Sequence, residues 1–359
     1  MAGGAELPDR LVKSVEAAGF GDASWADVLE TLAHSVGGVR GILLGGSGAA
    51  RYSYSCIFNH DPDVAKAYNR HYNRFDPRAQ PSLRVAVGQT RLGQELMPNS
   101  AISHTEYYAA ISEAGDIADS VFGVISNDPE MGRRTISLQR SFSQDFFDTR
   151  DALLLKALLP LLGGAMRSSL RVGRILAEER GDETILYGLV DSDLSLTFLP
   201  GSEPDSPMLT GPLRFGRDRL TCGLPALRNA LIAAIAEAQS ARSTTVRAGA
   251  VSLRFDPVPS ALHWYRSGRT QVFFTLSRDS ARAHDSSGLF AESFGLTPGE
   301  TKVLEALMRE GGVRPAAGAL GMSVETARWH AKNICAKTGH AGVRKLVDAA
   351  RANDLSNLI

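Results

Sequence analysis

The sequence predicts a multidomain protein: two α+β domains followed by an all-helical C-terminal domain. Three observations carry this. The chain has 359 residues, and one hydrophobic core usually serves only about 100–200. Two separate stretches pair strand-like runs across polar turns and flank them with helical periodicity. Residues 289–359 show helix caps and breakers but no strand pattern.

The first domain is expected over 1–180. Ser24 can cap a helix to Val36, with Trp25, Val28, Leu29 and Leu32 at helical spacing. Runs 39–44 and 52–58 read as strands, with Gly45-Gly46-Ser47-Gly48 as their hairpin loop. Asp61-Pro62 opens a helix to about Arg74, and 103–114 reads as another. Runs 120–126 and 135–141 form a second strand pair around the turn 127–133, and a long helix follows to Glu179. Helices around an antiparallel sheet give an α+β unit.

The second domain is expected over 181–288. Runs 186–190 and 195–199 flank Asp191-Ser192-Asp193 as a hairpin; 200–212 is rich in Pro and Gly and reads as a loop. Residues 225–239 are Ala-rich and helical, and 244–255 and 271–276 return to strand character. Residues 277–288 are polar and aperiodic, as a linker would be.

Composition narrows the function classes. The apolar share of 43% excludes long disorder. Lys plus Arg equals Asp plus Glu at 39 each, so a nucleic-acid signature can lie only in the distribution of charge. Cys56, Cys222 and Cys335 stand alone, encoding neither a zinc ribbon nor a disulfide framework, which fits a reducing cytosol. The N-terminus shows no signal-peptide pattern. The apolar stretch 152–166 is broken by Lys156 and Pro160 and is too short to span a bilayer. The expectation is a cytoplasmic protein without membrane contact. There is no H-E-x-x-H, G-x-S-x-G, nucleotide fingerprint or Cys/His metal cluster, so neither an enzyme, a metal site nor a cofactor is expected.

The third domain, 289–359, holds the sharpest pattern. Thr297-Pro298-Gly299-Glu300 combines a capping box with Pro at the first helical position. Val303, Leu304 and Leu307 supply an apolar face, and Gly311-Gly312 stops the helix. A short helix, 315–320, leads to Gly321, where a tight turn needs a residue tolerating positive φ. Ser323 then caps a third helix, from Val324 to about Lys337. Two short helices joined by a Gly turn make a helix-turn-helix pattern. On the third helix Ala327, Ala331 or His330, and Ile334 suit an inner face, while Arg328, Trp329, Lys332, Asn333 and Lys337 suit an outer one. From Arg314 to Lys345 six basic residues face one acid, Glu325, a concentration of charge that groove docking requires.

These residues resemble the LuxR-type helix-turn-helix: Leu296-Thr297-Pro298-x-Glu300, Leu320-Gly321-Met322-Ser323, Thr326-Ala327-Arg328-Trp329-His330, Asn333-Ile334 and Lys337-Thr338-Gly339. The resemblance covers under a fifth of the chain. It implies a four-helix DNA-binding domain that regulates transcription on double-stranded DNA as a homodimer, with RNA polymerase as a further partner. It places Arg328, Trp329 and Lys332 at base edges. Ser323, Thr326, His330, Asn333 and Lys337 complete the contact set, with Thr326, His330 and Lys337 at phosphates. It assigns the dimer contact to the last helix through Val343, Leu346, Val347 and Ala350. Ala327 and Thr338 depart from the usual Val and Leu.

The upstream domains then read as sensors of a small-molecule effector. Tyr68-x-x-x-Tyr72-x-x-x-Asp76-Pro77 resembles the autoinducer-binding domain of quorum-sensing LuxR proteins, although the aromatic-to-Asp spacing is shortened and no Trp precedes Tyr68 by one turn. A GAF- or PAS-like sensor is the broader reading, with the 181–288 domain resembling PAS by element order. Tyr54, Tyr68, Tyr72 and Asp76 are the candidate ligand residues. Tyr68 and Tyr72 equally fit an ordinary helix face, and Asp76-Pro77 a helix stop. His263, Trp264 and Tyr265 suit either a ligand or a core. A protein–protein adaptor or anti-activator acting by mixed dimerisation is the alternative function.

Overall fold

The computed structural model describes residues 8–47, 51–179, 184–204, 206–210, 212–248, 251–265, 271–278, 290–291 and 294–352. The chain divides into two compact units, Met1–Ile175 with Val258–Arg269, and Leu176–Pro257 with Thr270–Ile359.

The first unit begins with α1 (Asp9–Phe20), α2 (Trp25–Ser35), β1 (Arg40–Ser47), β2 (Arg51–Phe58) and α3 (Pro62–Arg70). It continues with α4 (Ala79–Ser82), β3 (Thr90–Leu92), α5 (Gly93–Leu96), α6 (Asn99–Ile102), β4 (Asp119–Asp128), β5 (Gly132–Arg140) and most of α7 (Thr149–Glu178). Local chemistry starts the helices as expected. Ser24 Oγ accepts from the Asp27 N–H at 3.0 Å, and Asp61 Oδ1 accepts from Asp63 N–H at 2.7 Å, each satisfying a first-turn donor. The five strands form one antiparallel sheet in the order β2-β1-β5-β4-β3. Leu155, Leu158, Leu159 and Leu162 of α7 are fully buried, and a Cβ on Gly123 of β4 would collide with Leu159. By length and composition α7 is long and apolar enough to cross a membrane, more than the 152–166 stretch suggested; half of its most apolar window is buried inside the protein.

Two expectations for this unit are corrected. Gly45 to Ser47 are not loop but strand: Gly46 pairs with Tyr52 and Ser47 with Arg51, while Gly48 lies outside the described residues. A Cβ on Gly45 would meet the Arg134 guanidinium, which would have to shift. The expected helix over 103–114 starts later, at Glu106 after the turn 103–105, and is π-helical over Tyr108–Glu113. The segment Val258–Arg269, which interrupts the second unit in sequence, completes this core. Its 3₁₀ turn Ser260–Tyr265 sets Trp264, fully buried, edge-on to Trp25 at 6.1 Å, and Trp25 Nε1 donates to the Ala261 carbonyl at 2.9 Å. Arg134 lies over both Trp264 and Tyr265, at 5.2 and 5.0 Å from the ring centroids.

The second unit holds β6 (Thr184–Asp191), β7 (Leu196–Phe198), β8 (Met208–Thr210), β9 (Leu213–Phe215), β10 (Leu220–Cys222), α8 (Pro225–Gln239), β11 (Thr244–Ala248), β12 (Val251–Asp256) and β13 (Gln271–Arg278). Its five-stranded sheet runs β11-β12-β13-β6-β7. Numbered within each sheet, both five-stranded sheets therefore follow the same order, 2-1-5-4-3. Residues 200–212, read as loop, contribute to a small sheet β10-β9-β8, whose three-residue strands are too short to show a period of two. Of the expected linker 277–288, Ser277 and Arg278 close β13 and residues 279–288 lie outside the described residues.

The unit ends in α9 (Pro298–Glu310), α10 (Val313–Ala319), α11 (Val324–Thr338) and α12 (Val343–Ala352). Their core gathers Val303, Leu304, Leu307, Ala331, Ile334 and Leu346 with Phe290 and Phe294. The protein thus has mixed α/β regions with sheets, followed by a helical C-terminal region.

Candidate nucleic-acid interface and small-molecule cavity

The C-terminal helices present one distinctive surface. The capping box at α9 forms as read: Glu300 N–H donates to Thr297 Oγ1 at 3.3 Å, and Thr297 N–H to Glu300 Oε2 at 2.7 Å. Between α10 and α11 the chain turns through Gly321 at φ 64°, pinned by Met322 N–H on the Ala317 carbonyl at 3.0 Å. Ser323 then caps α11, its Oγ accepting the Thr326 N–H at 3.0 Å and meeting Thr326 Oγ1 at 2.8 Å.

Residues along a helix turn by about 100° each, so Arg328, Trp329 and Lys332 share an arc of about 100°. Ala327, Ala331, Ile334 and Thr338 lie on the other side and are buried. Arg328 and Lys332 are exposed, and Trp329 is 60% exposed. Arg328 meets Glu325 at 2.7 Å, but both side chains stand in solvent, so the pair contributes about 0–1 kcal/mol and leaves the guanidinium free to re-pair. Arg314, Arg344 and Lys345 are also exposed.

The other residues of the expected contact set are placed differently. Lys337 does not stand free: its ammonium lies 2.7 Å from Glu300 Oε2 and 3.2 Å from the Gly295 carbonyl, tying α11 to the start of α9. Burial pushes the Glu300 carboxyl up, but the Lys337 ammonium and the Thr297 hydrogen bonds outweigh it and hold the carboxyl below the ordinary glutamate value. His330 is half-buried, T-stacked on Trp329 at 4.9 Å, with Nδ1 buried and unpaired. Asn333 is half-buried. Leu346, Val347 and Ala350, expected at a dimer contact, are buried in the core of this helical region, because the inner face of α12 is what closes that core.

The first unit holds a partly open cavity of about 80 Å³ against the sheet face formed by β1, β2, β4 and β5. Tyr54, Tyr68 and Asp76 line it. The Tyr54 and Tyr68 rings stack with centroids 4.1 Å apart and planes 13° from parallel. Tyr68 Oη donates to Asp76 Oδ2 at 2.8 Å, and the Arg78 N–H donates to Asp76 Oδ1 at 2.9 Å. Burial raises the Asp76 carboxyl above the ordinary aspartate value, and these hydrogen bonds oppose it only in part. Burial also pushes the Tyr68 and Tyr107 phenols up, with the Asp76 charge adding to it. Tyr72 is not part of the lining: its hydroxyl donates to Glu106 at 2.8 Å, away from the cavity.

Sequence reasoning missed much of this lining. Tyr52, Arg78, Tyr107, Ser112, Ser137 and Gln139 also face the cavity. Arg133 bonds two of the lining residues, donating from Nε to Tyr52 Oη at 2.8 Å and from Nη2 to the Ser82 carbonyl at 2.8 Å. The available signal was Thr135, Ser137 and Gln139 alternating with Ile136 and Leu138. That pattern normally means one wet face, yet all five residues are buried. His263 bonds the Val258 carbonyl at 3.1 Å and Trp264 packs on Trp25, so neither lines the cavity.

No family model matches the sequence, and no curated protein matches it either. Among solved structures, SdiA of Escherichia coli is similar at 12% identity over 94% of each chain, with a TM-score of 0.32. A phage VqmA–DPO complex is similar at 18% identity over 52% of this chain and 91% of that chain, with a TM-score of 0.21. Both TM-scores are below one half, so the functional reading rests on this chain's own residues.

Proposed function

We propose that this protein is a LuxR-like transcription regulator: it binds double-stranded DNA through a helix-turn-helix made of α10 and α11, and the cavity of its first unit binds a small effector. One observation carries the reading. A capped helix placed by a tight Gly turn bears Arg328, Trp329 and Lys332 exposed on the side opposite its buried face, inside a stretch of six basic residues and one acid. Such a helix can lie in the major groove while the charges displace counterions from phosphates.

Arg328 and Lys332 are the direct contacts in this reading, with Trp329 at an apolar base edge such as a thymine methyl. Ser323 and Thr326 sit at the N-terminus of α11, where backbone N–H groups favour a phosphate. Lys337 serves as a strut rather than a contact. Binding as a homodimer, with RNA polymerase as a downstream partner in the cytoplasm, belongs to the same reading. The dimer surface then lies elsewhere than Leu346, Val347 and Ala350. The two α+β regions act as GAF- or PAS-like sensors, and no catalysis is assigned. An effector shifts the DNA-binding equilibrium only as far as its affinities for the two states differ.

Trp329 beside Arg328 also has the composition of a protein-binding hot spot, which favours the adaptor reading. Salt separates the two. DNA affinity measured by fluorescence anisotropy between about 50 and 200 mM salt falls steeply if phosphates are neutralised, and Lys332→Ala weakens binding throughout that range. A slope near zero, with affinity unchanged by Lys332→Ala, rejects DNA binding by this face.

A further inference from the structure

Two opposite charges line the cavity, and they do not pair with each other. Asp76 and Arg78 are half-buried and both belong to its wall. The Asp76 carboxylate accepts from Tyr68 Oη and from the Arg78 backbone N–H, at 2.8 and 2.9 Å. The Tyr107 hydroxyl adds a further hydrogen bond to it. The Arg78 guanidinium donates from Nε and Nη2 to the Gly93 and Met97 carbonyls and to Asn99 Oδ1, at 3.2, 3.0 and 2.7 Å. Every one of these partners is neutral. Among the described residues, neither Asp76 nor Arg78 enters an ion pair.

Each charge also keeps a vacant position. Nη1 of Arg78 has no partner, yet it is not a sealed atom: it retains accessible surface. A carboxylate takes about four donors, so Asp76 still has an accepting position. A charge drawn partly out of water is costly until a counter-charge meets it. A ligand with one charge meets one of these groups and is repelled by the other. A ligand carrying both signs meets both. Size sets the other limit. Water takes about 30 Å³ per molecule in the liquid, so the partly open cavity of about 80 Å³ encloses the room of only two to three waters.

We propose that the cavity binds the smallest amino acids as zwitterions, glycine first, with the ligand carboxylate on Arg78 and its ammonium on Asp76. This rests on the reading of the cavity as the effector site. The carboxylate accepts from Arg78 Nη1, and the ammonium donates to the vacant position of Asp76. A side chain much beyond a methyl group has only the open mouth to occupy.

The test is calorimetric titration of the full chain, at one ionic strength, with glycine, acetate, methylammonium and leucine. Glycine binds at least about tenfold tighter than acetate or methylammonium, each of which makes only one of the two charge-assisted contacts. Leucine carries the same charged groups and binds more weakly than glycine because of its size. Two variants separate the contacts. Asp76→Asn brings acetate level with glycine, and Arg78→Gln brings methylammonium level with glycine. The Arg78 guanidinium also holds the 93–99 segment, so Arg78→Lys serves if the Gln variant does not fold; it weakens glycine and acetate alike and leaves methylammonium unchanged. The proposal is overturned if glycine binds no tighter than either half-molecule, if its preference survives both substitutions, if leucine binds as tightly, or if glycine does not bind at millimolar concentration. DNA affinity of the same preparation is read with and without glycine. If DNA binding persists while glycine fails, only the ligand assignment falls. If glycine binds as described and DNA affinity does not move, the ligand assignment stands and the effector reading falls.

Discussion

Lys337 offers the sharpest division between charge used for folding and charge used for DNA. Glu300 Oε2 receives both the Thr297 N–H and the Lys337 ammonium, each at 2.7 Å, and Glu300 is only 4% exposed. Lys337→Met leaves that carboxylate buried with its cap alone. A hydrogen bond to a charged group contributes about 1.5–3 kcal/mol, so a loss of about 2 kcal/mol is expected. Glu300→Ala removes the pair and the capping box together, adding about 1 kcal/mol. In a unit of this size each kcal/mol moves the melting temperature by about 2–4 °C. Lys337→Met should therefore lower it by about 4–8 °C and Glu300→Ala by somewhat more. The double variant should cost less than the sum, because both remove one interaction. The assay is calorimetry on the four-member cycle, paired with salt titration of DNA affinity. Lys337→Met keeps most of the wild-type salt slope and affinity, whereas Lys332→Ala weakens binding at every salt concentration. If Lys337→Met loses a full unit of slope with an unchanged melting temperature, the strut assignment is refuted and Lys337 is a phosphate contact.

Other outcomes follow from the same geometry. Because the folded-state pKa of Glu300 is depressed, its contribution is complete above the ordinary glutamate range and fades as pH falls through the folded value; acid titration of wild type against Glu300→Gln by circular dichroism should show wild type losing more stability at low pH. The chain has three tryptophans, of which Trp25 and Trp264 are fully buried and Trp329 is exposed, so acrylamide should quench one emission component; Trp329→Phe should remove it, and DNA should protect it. Gly45→Ala forces the Arg134 guanidinium off Trp264 and Tyr265 and should cost about 1–3 kcal/mol in urea unfolding, whereas no loss would mean that Arg134 moves freely.

The sequence was most legible where local chemistry decides structure. Thr297, Ser323 and Gly321 announce caps and a turn through interactions spanning three to five residues, and all three occur as read. The hairpin strands and α8 were likewise visible from alternation and from composition. What was hidden depends on partners far along the chain. Gly45 looks like a loop until Arg134 is placed across it, and Lys337 looks like a free cation until α9 is folded beside it. Leu346, Val347 and Ala350 form an apolar stripe on α12, which serves a core and a dimer equally well by periodicity alone. The cavity was partly legible: Tyr54, Tyr68 and Asp76 drew notice as aromatics near an Asp-Pro, while Gln139 and Ser137 read as solvent-facing residues of a half-buried strand. Only the covering of both faces of the sheet reverses that reading.

The most direct test of the central claim is selection of DNA from a random pool by the full chain, followed by sequencing, with an Arg328→Ala/Lys332→Ala variant run alongside. The account predicts a recurrent motif with the wild type and none with the variant, whose fold is verified by an unchanged melting temperature. A failure of the wild type to enrich any motif, or equal enrichment by the folded variant, would contradict it.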